Sequence, residues 1–202
     1  MIAKARLAAI SDGIIAVAAT VMALQLKIPE RFSFAEISSQ GPVLIACAVS
    51  YAQVFLAWHE HHDALNGVRE VSHRAFLLNT LWLFFITLLP FAAGCAGRDP
   101  QSLEAELLFL GLLALITLTL MLECRLIYGK DLSRMTDSTL IGIIHKISLS
   151  GIALAAAATF AWPPAGLITA MIFALFCIVL LWGSESRRKE ERRQAAAQKK
   201  GA

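Results

Sequence analysis

The sequence predicts an all-α integral membrane protein with six transmembrane helices per subunit and both termini in the cytoplasm. Three observations predict it. Hydrophobic residues make up 57% of the chain and charged ones 16%, against about 25% charged in soluble domains. The apolar residues gather in six blocks, each close to the ~20 residues that cross a bilayer as a helix. Basic residues then divide unevenly between the two sides. Fourteen fall in segments on the side of the N-terminus and three (Lys27, Arg31, Arg98) in the opposite loops, which orients the chain.

The first helix, predicted over 8–27, runs as RLAAISDGIIAVAATVMALQLKIP from Arg6 and stops before Pro29. From Gly13 to Leu26 its only polar side chains are Thr20 and Gln25. Ser11 and Asp12 interrupt the apolar run near its start, so it reads as a retained span and not as a cleaved signal. At 100° per residue, Asp12, Ala16, Ala19 and Ala23 form one stripe of short side chains. Gly13, Val17, Thr20, Val21 and Leu24 form the neighbouring one. A hydroxyl among branched aliphatics suits a narrow, mostly dry ion path. It equally suits a packed helix whose Thr20 hydroxyl bonds to its own backbone.

Helix two is predicted over 42–64, with Pro42 in a first turn that tolerates it, and ends in the polar run WHEHHDALNGVRE. Helix three covers 74–93, with Pro90 near its end, and helix four 103–128, with Ser102 as N-cap. Helix five covers 138–160, and Trp162-Pro163-Pro164 turns tightly into helix six, 165–183. These helices form one membrane domain, 1–183. Residues 184–202 are a charged cytoplasmic tail, whose mixed signs suit a solvated helix better than a nucleic-acid patch. No strand pattern appears. Cys47, Cys95, Cys124 and Cys177 are scattered without CxxC spacing, so each reads as a small buried hydrophobe.

Ionisable groups inside a span are costly and call for an explanation. Arg6, Ser11 and Asp12 lie at the inner end of helix one. Helix two brings His59, His61 and His62 to the same level, and helix three starts there with Asn79. They predict either a hydrogen-bonded layer, with Asp12 paired to Arg6 or a histidine, or separate head-group anchors. Glu123 and Lys146 read first as interface residues. His59, His61 and His62 alone do not complete a zinc or haem site, so no metal and no cofactor is expected. No hydrolase, P-loop or paired-carboxylate signature appears, so no enzyme is expected either.

Arg6 followed by Ser11-Asp12-Gly13 and a Val/Ala-rich run with Thr20 resembles RxxxFSDG. This is the helix-one signature of the prokaryotic branch of the transmembrane protein 175 family of potassium channels. Trp58 with His61-His62 resembles the family's W-x-x-H-H, and Asn79 through Leu88-Leu89-Pro90-Phe91 its third helix ending in LLPF. The resemblance covers the first three helices by motif and the rest by count and hydropathy. Ile10 departs from it, standing where the family has phenylalanine.

The resemblance implies a homotetrameric potassium-permeable channel in a prokaryotic cell membrane, without a TVGYG filter loop. Helix one of each subunit would line the pore. Val17, Val21 and Leu24 fall on the apolar constriction positions, and Thr20 on a pore-facing threonine that transient potassium ions would pass. Arg6, Ser11, Asp12, His61 and Asn79 fall on a structural polar network. The expected partners are further copies of the chain, membrane lipid and potassium ions, with no nucleic acid. A small six-helix secondary transporter is the alternative, with sites at broken helices near mid-membrane.

Overall fold

The computed structural model describes residues 2–28, 33–66, 68–128 and 138–201, with side chains in the last stretch at 146–183. Helix α1, Lys4–Ala23, buries Leu7, Ser11, Ile15, Ala18 and Met22, a stripe at the three-and-four spacing of one helix face. It has no side-chain N-cap. Instead β1 (Ile2–Ala3) pairs antiparallel with β2 (Glu70–Val71), and the Lys4 N–H donates to the Arg69 carbonyl at 3.1 Å. Two-residue strands are too short to leave an alternating pattern in sequence.

Helix α1 stops four residues before the position 27 expected from sequence. The N–H groups of Leu24, Gln25 and Leu26 each bond three residues back, so the last turns tighten to 3₁₀ form. Pro29 lies outside the described residues. A short helix α2, Phe34–Ser39, follows, started by Ser33 accepting from the Glu36 N–H at 3.2 Å. Ser33 and Glu36 have capping-box spacing, a legible signal in a linker the sequence reading leaves irregular.

Helix α3 runs Gly41–Asn66, α4 His73–Arg98 and α5 Leu103–Tyr128. Helix α4 begins on Ser72, which accepts from the Ala75 N–H, and continues through buried Pro90 five residues past the expected end. Ser102 likewise accepts from the Ala105 N–H. Helix α6, Ser138–Ala161, and α7, Ala165–Gly201, join through the Trp162–Pro164 turn, which Ala165 and Gly166 close by bonding to Trp162 and Pro163.

Helix α4 packs on α5, α3 and α1, and α7 on α6 and α3. The shared core centres on Trp82, Ile86, Leu89, Phe109, Leu110 and Leu120, all fully buried. Helices α3 and α4 approach closely at Gly97, where a Cβ would stand 2.5 Å from the Val43 Cα. Among the described residues, five helices are long and apolar enough to cross a membrane: α1, α3, α4, α5 and the Ala165–Gly183 part of α7. The stretch Lys146–Ala161 of α6 is a shorter apolar helix.

Candidate functional site

The face of α1 opposite its buried stripe carries the residues singled out in sequence. Val17 is 62% exposed and Leu24 77% exposed; Gly13 and Thr20 are exposed, and Val21 is half-buried. The Thr20 hydroxyl donates to the Val17 carbonyl at 2.8 Å. That bond uses its only proton and leaves the oxygen lone pairs as acceptors. Beside this face lies an apolar groove of about 330 Å³ between α1 and α3, lined by Ala16, Ala19, Tyr51, Phe55 and, at its polar end, Asp12 and Trp58. The short side chains of one α1 stripe thus form one wall of it.

The buried face of α1 enters a polar layer. Ser11 donates to Asn79 Oδ1 at 3.3 Å. Asn79 Nδ2 lies 2.9 Å from His61 Nε2 and 3.5 Å from Glu123 Oε2. His61 Nε2 also approaches Glu123 Oε1 at 3.5 Å, and its ring stacks on Trp82 with centroids 4.7 Å apart. Four helices, α1, α3, α4 and α5, therefore meet through one Ser–Asn–His–Glu cluster. All four side chains are buried, and water cannot substitute for lost partners there at low cost.

The structure brings Ser11, His61 and Asn79 together and leaves Arg6 out. Arg6 is exposed, and no bond joins it to Asp12 among the described residues. Asp12 instead accepts from the Trp58 indole Nε1 at 2.8 Å, tying α1 to α3 at the edge of the groove. His62 packs against Trp58 at 5.6 Å, and His59 faces Asp63 at 3.7 Å. Among the described residues, no three His, Cys, Asp or Glu side chains gather as a metal site.

Glu123 is the member that sequence reasoning misses. Glu123 is 0% exposed, whereas its neighbour Arg125 suggests the membrane boundary. The available signal is its spacing from buried Ile116 and Leu120 on the same face of α5. At the other end of α1, Arg98 Nη2 donates to Gln25 Oε1 at 3.2 Å, and the Gln25 side chain lies over Gly94.

Residues 6–90 match the family model described as endosomal/lysosomal potassium channel TMEM175. A potassium channel of Chryseobacterium sp. is 34% identical over 96 residues, 48% of this chain and 50% of that protein. A potassium channel of Chamaesiphon minutus is 27% identical over 122 residues, 56% and 60% of the two chains. The human endosomal/lysosomal proton channel TMEM175 is 37% identical over 116 residues, 50% of this chain and 23% of that one. The matches thus span 60% or less of these relatives' own length. The crystal structure of a lysosomal potassium-selective channel TMEM175 homolog from Chamaesiphon minutus has a similar fold. Its TM-score is 0.76 at 20% identity, covering 87% of this chain and 96% of that one.

Proposed function

We propose, from the match of residues 6–90 to the TMEM175 family model, that the chain is one subunit of a potassium-permeable channel in a prokaryotic cell membrane. The subunit has six membrane helices, counting α6, and four copies surround a pore lined by α1. One observation carries this reading. A helix locked on one side by a buried polar cluster leaves Val17, Thr20 and Leu24 uncovered on the other. One helix per subunit cannot enclose a path, so a cyclic assembly is required. The groove beside α1, with its alanine wall, suits the neighbouring copy, because small residues let helices approach closely.

In such a ring, Val17 and Leu24 form apolar collars that shed water when narrow and so close the path. Val21, half-buried, backs them. Four Thr20 oxygens, their protons committed to the backbone, offer acceptors to a passing monovalent cation. Ser11, His61 and Asn79, with Glu123, fix the rotation of α1 and do not ligate ions; Asp12 contributes through Trp58. Arg6 acts at the exposed inner end.

Potassium flux into vesicles reconstituted with purified protein tests the reading. Leu24→Ala and Val17→Ala each widen a dry constriction and are expected to raise single-channel conductance. Unchanged current in both variants would remove α1 from the ion path. Discrete current steps separate a channel from the secondary-transporter alternative. The continuous course of α4 through Pro90 also disfavours a carrier built on broken helices.

A further inference from the structure

A second buried carboxyl lies at the opposite end of α5 from Glu123. Glu106, in the first turn of α5, is 0% exposed, and so is Thr159 of α6. Both reach the start of α7. A Cβ at Gly166 would stand 2.5 Å from Thr159 Oγ1 and 2.8 Å from Glu106 Oε2, so the two oxygens share the space that a glycine there leaves free. Three helices converge on this carboxyl, and neither the Ser–Asn–His–Glu cluster nor the ion path uses it.

Few donors are within its reach. Proline has no N–H, and Pro163 and Pro164 precede α7. The N–H groups of Ala165, Gly166 and Ile168 bond to the carbonyls of Trp162, Pro163 and Pro164. That leaves the Leu167 N–H, which is turned towards the carboxyl without closing a bond of ordinary geometry. Among the described residues neither Glu106 oxygen has a hydrogen-bond partner. Thr159 supplies no proton either. Its Oγ1 lies 2.8 Å from the Ala155 carbonyl, which can only accept, so its one proton is committed and its lone pairs remain.

No cation compensates the site among the described residues. Over 146–161 of α6 and 165–183 of α7 the one charged side chain is Lys146, about 20 Å from Thr159 along the helix. Cys177, the other titratable group there, lies three turns beyond Gly166. On α4, Arg98 and Asp99 are exposed, and Arg98 holds Gln25. On α5 itself, Glu104 takes the Ser102 proton.

We propose that Glu106 is a proton-binding site. At neutral pH its carboxyl is the neutral acid, with the O–H donated to Thr159 Oγ1 and the carbonyl oxygen turned to the Leu167 N–H. An ionised carboxylate would set its charge against the Thr159 lone pairs with one N–H in compensation, and a carboxyl buried in that way takes up a proton from water instead. One proton then ties α5, α6 and α7 together. The proposal concerns a single subunit and is independent of the ion path.

The test is the infrared spectrum of the full chain in phosphatidylcholine vesicles at neutral pH, read as wild type minus Glu106→Gln. The expected difference is the carbonyl band of a protonated carboxyl, moved to lower frequency in protein exchanged into heavy water. A difference in the carboxylate bands alone overturns the proposal. Carboxylate bands that move when choline replaces sodium and potassium overturn it in favour of a metal cation. Glutamine keeps a donor and an acceptor without a charge, so Glu106→Gln is expected to leave the thermal midpoint no lower than that of wild type; a lower midpoint would mark a carboxylate that α7 needs. Thr159→Val keeps the shape, removes the acceptor and leaves Glu106 intact. It is expected to retain the acid band at a shifted frequency, and a band that does not move overturns the assignment to Glu106.

Discussion

At Asn79 a single carboxamide touches Ser11, His61 and Glu123, one from each of three other helices. Its acceptor oxygen takes the serine proton, and its nitrogen donates towards the imidazole and the carboxylate. Asn79→Leu leaves three buried polar groups without this partner. A loss of about 3 kcal/mol is expected, between the cost of an orphaned hydrogen bond and that of a broken buried ion pair. The thermal midpoint in detergent checks it, and an unchanged midpoint would mean that the cluster does not hold the helices together. Ser11, His61 and Asn79 are legible in sequence because a polar residue in an apolar run stands out. Glu123 is not, because a carboxylate near Arg125 looks like the end of a span. Nor does sequence choose the partner of Asp12, since the Trp58 indole donor competes with Arg6 and the histidines at the same level.

At the scale of elements, Gly94 and Gly97 lie one turn apart on α4 and meet different neighbours. A methyl group at Gly97 meets the Val43 backbone at 2.5 Å, and one at Gly94 meets the end of the Gln25 side chain. Backbone cannot yield as a flexible side chain does. Gly97→Ala is therefore expected to cost about 1–3 kcal/mol by overpacking, seen as a lower thermal midpoint. Gly94→Ala is expected to displace Gln25 from Arg98 and to lower the midpoint less than Gly97→Ala does, because the end of a flexible side chain yields. Equal losses in the two variants would contradict the packing described. Helix limits depend on similar local facts. The end of α1 at Ala23 comes from tightened turns that composition does not announce. The helical run past Pro90 is available because proline removes one donor while the packed neighbours of α4 hold the rest in place. The orientation of α1 is hidden for a different reason: a helix apolar on all sides has no polar face to mark its exterior.

For the whole molecule, the uneven distribution of polar contacts matters more than their number. Helix α1 carries its expected ion-facing residues without a charge between Gly13 and Leu26. In a four-fold ring the narrow part would then hold only hydroxyl oxygens and aliphatic groups. Such a path discriminates poorly between alkali cations, since only a few hydration waters are replaced. A bilayer reversal potential with potassium and sodium on opposite sides is expected to show a modest potassium preference. Strong sodium preference or anion current would contradict the arrangement.

The fastenings of α1 differ in kind between its two ends. The strand pair holds its start, Leu7 packs with Leu65, Val71 and Ala75, Ser11 bonds Asn79 and Asp12 takes the Trp58 proton. At the far end the Met22 carbonyl accepts from Cys47 Sγ at 3.3 Å and Arg98 reaches Gln25. A rod clamped at both ends does not swing about one of them. Any aperture bounded by Val17 and Leu24 would change width only as α1 travels together with α3 and α4, so both collars would move in step.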